Sequence, residues 1–422
     1  MIESEKNQRF HLTEDWTVVF LGFLIILLTL LGLRIPSPVF SWKSATELFG
    51  SVITIGNLTT LALVFAIVYS VAIAGAGILG KSILDTIRGF PVVFALTVFA
   101  LILAGNSLAK NLNLEAVIFS LGIGLLISNL FKVPEWLKAA LTTELFVKIG
   151  LVLLGTNVIF SDILKAGSLG LIQAVLVVVS VWYFAYWICK KFGVDEELGI
   201  MISSAVSICG VSAAIASSGA IKGDPKKLSY VISVVLITAI PMIIILPLIA
   251  RFLGLSEEVT GAWLGGTIDT TGAVIASGAM VGETAVKIST IVKFSQNVLL
   301  GLAAFAISIY WTYSKNQTSV VNDSKPTLGV IWERFPKFVL GFIGASVLFS
   351  FFISIETMDE VKGGLKSLQG LWFALAFTSI GLETRFSDLF KLQGRKPLYA
   401  FLIAQLFNVI ITLGIAYLLF GK

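Results

Sequence analysis

The chain is patterned as a series of long apolar runs separated by short polar breaks. Runs fall at 16–33, 58–79, 92–109, 114–130, 140–160, 170–188, 198–220, 228–252, 261–280, 288–313, 338–355, 365–382 and 398–420. Most are about 17–25 residues long, the length of a membrane-spanning helix and well above that of a barrel strand. The pattern predicts an all-α polytopic membrane protein, a bundle of eleven to thirteen transmembrane segments, some broken or re-entrant. The stretch 36–57 is weakly amphipathic and reads as interfacial.

Two runs differ from a lipid-facing helix. Residues 261–280 carry Gly265, Gly266 and Gly272 around Asp269, with Thr267, Thr270 and Thr271 beside it. Glycine lets a helix unwind or a backbone approach closely. A carboxylate at membrane depth is costly and marks a functional candidate. Residues 203–218 are similarly rich in small polar residues, and Ile208, Ala213, Ile215, Ala216 and Ser217 align with Ile268, Ala273, Ile275, Ala276 and Ser277. Small residues in membrane helices also serve packing alone, which is the rival reading, above all for 203–218.

A second internal match links Gly155-Thr-Asn-Val-Ile-Phe-Ser-Asp162 and Lys165 with Gly381-Leu-Glu-Thr-Arg-Phe-Ser-Asp388 and Lys391. It reads either as a recurring loop type or as an internal inverted repeat, a device common in secondary transporters. The domain reading is a polar tail (1–15), a first bundle part holding both Gly-rich segments (16–313), a cytoplasmic linker (314–336) and a C-terminal bundle part (337–422). The linker and the loop 385–396 are basic, which places both on the cytoplasmic side of an inner membrane, with a cytoplasmic N-terminus. The loop 221–228, with Lys222, Lys226 and Lys227, would then lie outside if every run crossed. Either the charge rule is weak there or one Gly-rich run does not cross.

Composition narrows the function. Hydrophobic residues make up 57% and charged residues 13%, against about a quarter charged in soluble domains. The net charge of +5 sits in short loops facing lipid, so nucleic acid is not an expected partner; the lipid bilayer is. Cys189 and Cys209 lie in or beside spans and give no disulfide framework. The lone His11 is in the tail, which excludes histidine chemistry in the bundle. The first run has no small-residue cleavage site and reads as a span. No Walker loop and no His-Glu-x-x-His is present, so neither ATP use nor an enzyme is expected. A Ser207–Lys293 dyad lacks motif context. No resident cofactor is expected.

The candidate site follows. Asp269 is the ion-coupling residue, binding Na⁺ with oxygen ligands from Gly266, Thr267, Thr270 or Thr271, or carrying a proton. Lys293 is its expected counter-charge, with Lys287 second, and a purely structural pair is the bland alternative. Ser203, Ser207, Cys209, Gly210 and Ser212 can supply hydroxyls and amides, with a half-helix beginning near Gly210 aimed at an anion. Gln296 and Asn297 add polar contacts. Glu144 and Lys148 stand a turn apart and can neutralise each other, and Gln405 and Asn408 suit interhelical hydrogen bonds. Partners are a small molecule or inorganic ion; a homodimer is left open.

These residues carry a family resemblance. Ser207-Ile-Cys-Gly210 with Ala213-Ala-Ile-Ala216 resembles the signature of the sulfate exporter (YeiH-like) family of conserved bacterial membrane proteins. Phe146-Val-Lys-Ile-Gly150 through Gly155, Gly265-Gly-Thr-Ile268, and Ser379-Ile-Gly-Leu382 with Lys396-Pro397 resemble its other signatures, in order. The resemblance covers most of the chain from about residue 140. It implies kinship with sodium/proton antiporters and bile-acid-type symporters, inverted repeats, unwound helices at the midplane, and transport of a small solute. The chain departs from the pattern at Asp269 and Thr270, where the family has His-Glu, at Ala273 for Gln, and at Asn157 and Gln296, where arginine is usual; Lys148 and Lys293 keep basic positions. Losing two fixed positive charges weakens a sulfate reading, because a buried dianion wants Arg or Lys partners.

Overall fold

A computed structural model describes residues 13–111, 116–315, 332, 335–385 and 395–421. The tail up to residue 12, most of the linker 314–336 and the second Phe-Ser-Asp copy lie outside the described residues. Among those described, no strand is formed and helices dominate. The expected all-α membrane bundle is the observed one.

Numbered in chain order, the helices are α1 (Glu14–Leu30), α2 (Ile55–Ile78), α3 (Ile83–Ala104), α4 (Ala116–Leu130), α5 (Thr143–Gly155) and α6 (Phe160–Lys191). They continue as α7 (Glu196–Ser204), α8 (Val211–Ile221), α9 (Pro225–Phe252), α10 (Glu257–Thr267), α11 (Thr271–Ala279) and α12 (Glu283–Lys315). The last are α13 (Phe338–Phe351), α14 (Ile355–Glu383) and α15 (Arg395–Phe420). Six of them, α2, α3, α6, α9, α12 and α15, are long and apolar enough to cross a bilayer unaided. The stretch 36–57 forms short turns, with an isolated bridge from Trp42 to Asn106.

The two Gly-rich runs do not cross. Each is a helical hairpin. In the first, α7 leads into a π-helical turn, Ala205–Cys209, and Gly210 reverses the chain at φ 59° and ψ −111°. This is backbone that glycine alone adopts without strain. α8 then returns beside α7: Met201 Cε lies where a Cβ on Gly223 would have to go. In the second, α10 ends at Thr267, three non-helical residues follow with Ile268 and Thr270 extended, and Thr270 caps α11 by accepting from the Ala273 amide at 3.3 Å. Its arms return to one level as well, since the Thr284 amide donates to Glu257 Oε2 at 3.1 Å.

The hairpins enter from opposite faces. α9 joins their bases: it starts where Lys227 pairs with Asp195 at 2.6 Å, and it ends where the Arg251 guanidinium donates to Met280 O. Its 28 residues span about 42 Å at the helical rise. The tips therefore meet inside the bundle, and irregular backbone is tolerated there because protein surrounds it. A Cβ built on Gly210 would stand 3.0 Å from Asp269 Cβ. Of the crossing and re-entrant readings left open for 198–220 and 261–280, the structure shows re-entry for both. The run lengths were spanning lengths, but the sharp reversal at Gly210 and the break at 268–270 turn them back.

Hairpin 2 straddles α12. Gly261 and Gly265 of α10 rest on the α12 backbone, where a Cβ would lie 2.8 Å from Ala285 O and 2.5 Å from Ser289 O. Gly278 of α11 rests on it too, 3.2 Å from Val286 Cα. α5 and α14 pack antiparallel through Phe146 on Trp372 (centroids 5.6 Å) and Asn157 on Gln369 (3.0 Å). The matched glycines Gly155 and Gly381 therefore close helices pointing to opposite faces, the relation an inverted repeat requires.

Candidate functional site

Where the hairpins meet, each leaves carbonyls that no backbone amide reaches. Side chains from two neighbouring helices bridge them in pairs. On α12, the Lys293 ammonium donates to Ile208 O and Ile268 O, both at 2.8 Å. It also donates to Gln296 Oε1 at 3.1 Å. The Gln296 amide donates to Ser207 O at 3.4 Å and Gly266 O at 3.0 Å. On α15, the Asn408 amide donates to Val206 O at 3.0 Å and Thr267 O at 3.2 Å, and Gln405 reaches Thr267 O at 3.0 Å. Three consecutive carbonyls of each tip are thus satisfied by the same three side chains. The carboxyl-terminal ends of α7 and α10 converge here, so a cation suits the negative ends of both dipoles.

Asp269 follows Ile268 directly and is 1% exposed. Neither of its carboxylate oxygens has a hydrogen-bond partner. The expected ion pair with Lys293 is not formed; the ammonium's three donors are all used on carbonyl oxygens. Lys287, the second expected partner, makes no ion pair with Asp269 either.

Two cavities flank α8. The larger, about 470 Å³, reaches from Lys81, Glu144, Glu383 and Arg385 to Ser212, Thr270 and Gly272 at the tips. The smaller, about 250 Å³, holds Cys209, Ser212, Thr271 and Asn297 on one side and Asp15, Lys148 and Phe338 on the other. Both are therefore lined by the first turns of α8 and α11, whose amides present partial positive charge. Asn297 is 5% exposed, and its Oδ1 has no partner. Lys148 pairs with Glu14 at 2.7 Å, Asp15 at 3.1 Å and Glu144 at 3.7 Å. The neutralisation expected from Glu144 alone is shared with α1.

The structure brings Cys209, Ser212, Thr270, Thr271 and Asn297 to cavity walls. Gly210, Gly266, Lys293 and Gln296 build the junction between the tips. Ser203 and Ser207 turn inward on their own helix, donating to Gly199 O and Ser203 O at 2.7 Å each. Thr267 offers its carbonyl to the bridges while its buried hydroxyl has no partner. Gln405 and Asn408 do form the expected interhelical bonds, but their targets are the hairpin tips, so they belong with the site. Their spacing on an apolar helix was the signal available. Gln173, which donates to Ala262 O at 2.7 Å and fills the space beside Gly266, was missed. Among the described residues, no group of three His, Cys, Asp or Glu could hold a metal.

A family model described as conserved hypothetical protein 698 matches residues 88–400. The chain belongs to that family. Its relatives carry the name UPF0324 membrane protein. One from Rhodopirellula baltica is 41% identical over 353 residues, 81% of this chain and 64% of the relative. One from Nitratidesulfovibrio vulgaris is 38% identical over 362 residues, 82% of this chain and 61% of the relative. One from Nitrosomonas europaea is 31% identical over 339 residues, 71% of this chain and 68% of the relative. The chain thus spans under two thirds of the first two relatives' length. No solved structure matches. The membrane family expected from the motifs is confirmed; these names carry neither sulfate export nor kinship with antiporters.

Proposed function

We propose that the protein is a secondary carrier, not an enzyme or a channel, moving a small solute by alternating access. The observation that supports this most is the pair of opposed hairpins whose tips meet at Asp269, a buried carboxylate without a partner. Discontinuous helices meeting inside the bundle are how carriers present substrate groups and coupling ions at the midplane. The sodium/proton antiporter and bile-acid symporter kinship belongs to this proposal on the same ground.

The solute we favour is a small anion: sulfate, an organosulfonate or an organic acid. The first turns of α8 and α11 and the Asn297 amide supply donors along the cavity walls. A cation-centred, antiporter-like carrier is the second reading, and the unpartnered Asp269 favours it. In either, Asp269 couples flux to H⁺ or Na⁺.

Orientation in a cytoplasmic membrane follows from charge. The hairpin 1 base carries Lys190, Lys191, Lys222, Lys226 and Lys227, and the same face receives the carboxyl end of α12 and the start of α15 with Arg395 and Lys396. That basic face reads as cytoplasmic, with the N-terminus on the same side. Re-entry of hairpin 1 removes the conflict at 221–228.

The test is flux into liposomes holding the purified protein. Wild type should show saturable counterflow of an anion, and Asp269→Asn should lose the dependence on ion or pH gradient while remaining folded. Single-channel currents, or Asp269→Asn flux equal to wild type, would sink the reading.

A further inference from the structure

We infer that the Lys293 ammonium is a tethered occupant of an alkali-cation site, and that the wild-type junction takes no sodium there. The inference rests on the carrier reading and narrows its coupling ion from H⁺ or Na⁺ to H⁺.

Three oxygens converge on one point inside the bundle, the Lys293 ammonium: Ile208 O and Ile268 O at 2.8 Å, and Gln296 Oε1 at 3.1 Å. Two are freed main-chain carbonyls at helix carboxyl ends and one is an amide oxygen. This neutral, hard-oxygen donor set is the kind that alkali and alkaline-earth cations select. Helix dipoles add negative potential at that point. Asp269, next in the chain to Ile268, adds a buried carboxylate without a hydrogen-bond partner. A mobile cation would find every element of a site except vacancy. The vacancy is filled by Lys293, itself 1% exposed.

The ammonium's three donors match the three acceptors. It reaches them from α12, the helix that hairpin 2 straddles, so it cannot leave without rearranging that packing. A sodium ion would have to displace a covalently held rival whose effective concentration is fixed by the fold. Deleting the side chain removes the rival and leaves the oxygens.

The purified full-length chain in detergent is unfolded thermally against NaCl, with choline chloride holding ionic strength constant. Wild type should be indifferent to the exchange. Lys293→Ala should gain a sodium-dependent rise that grows with the logarithm of sodium concentration, about 5 °C at a hundredfold excess over its Kd, that Lys293→Ala/Asp269→Asn lacks. A melting temperature that climbs with sodium in wild type would overturn the inference, as would a folded Lys293→Ala indifferent to sodium. If Lys293→Ala is recovered only when purified in sodium, that supports the site. If it is recovered in neither salt, the wild-type titration decides alone: flat supports, a rise with sodium overturns. Solute flux plays no part in this readout. Loss of the carrier reading and loss of the tethered cation are therefore separate outcomes.

Discussion

The two hairpins use opposite means to reach the same junction. Hairpin 2 is a wedge around α12: glycines of both arms rest on that helix, and its second arm begins with a side-chain cap from Thr270. Hairpin 1 turns on a π-helical segment and a positive-φ glycine, and Gly210 gives α8 no side-chain cap. Its second arm stands between two cavities, both lined by Ser212 and Ile215, and Ile215 is 43% exposed. Hairpin 2 thus packs both arms on α12 and carries the acid. The cavities reach only the start of α11 but run along α8 to Ala216, so the two arms facing the junction are packed unequally.

The largest stability effect should come from breaking the turn of hairpin 1. Gly210→Ala places a Cβ 2.7 Å from Val235 Cγ1 and 3.0 Å from Asp269 Cβ, at a φ and ψ that together strain any residue with a side chain. It should cost about 1–3 kcal/mol or more from the backbone alone, read as a fall in melting temperature with loss of flux. A Gly210→Ala protein as stable as wild type would contradict the reversal there.

Asn408→Leu tests the junction shared by both hairpins. It strands Val206 O while Thr267 O keeps Gln405, so hairpin 1 should suffer more. The expected loss is about 1–3 kcal/mol. Hydrogen exchange should quicken at 205–209 more than at 264–268; equal change would mean the tips are one rigid unit. Thr270→Val removes the cap that hairpin 1 lacks. It should cost about 1 kcal/mol and loosen the first turn of α11, leaving α8 unchanged by the same exchange measurement.

The smallest effect lies at the base of hairpin 1. Burial pushes the Asp195 carboxyl up, but the hydrogen bonds from Lys227 and the Leu198 amide outweigh it, holding it below its ordinary value. Its contribution is present above the unfolded-state value and fades as pH falls through the lower folded-state value. Lys227→Met should reduce that acid sensitivity, leaving the share from the Leu198 amide, at well under 1 kcal/mol, since the pair is partly exposed. Melting curves of both proteins between neutral and acid pH check it.

Much of this was legible along the chain. Run length and low charge settle a helical membrane bundle, because a backbone in lipid must satisfy itself and helices alone do so within one segment. The isolated Asp269 among glycines and threonines marked the site, since no packing need calls for a carboxylate there. The alignment of Ile208 with Ile268 paired two positions whose carbonyls now meet on one ammonium. The conflict at 221–228 carried the clue that a run turned back.

What composition could not supply is direction. Whether a Gly-rich run continues or reverses depends on two dihedrals at Gly210 and on which surfaces α7 and α8 bury, not on hydropathy. Nor could spacing tell that Lys293 would satisfy carbonyls instead of pairing with Asp269. A lysine seeks whatever oxygens the fold brings within reach, and here the fold brings two unwound helix ends. The sequence by itself determined the bundle, its broken segments and the acid set among them, Asp269. Only the tertiary structure decided that the breaks are opposed hairpins, that Asn408 and Gln405 hold their tips, and that Asp269 is left alone between them.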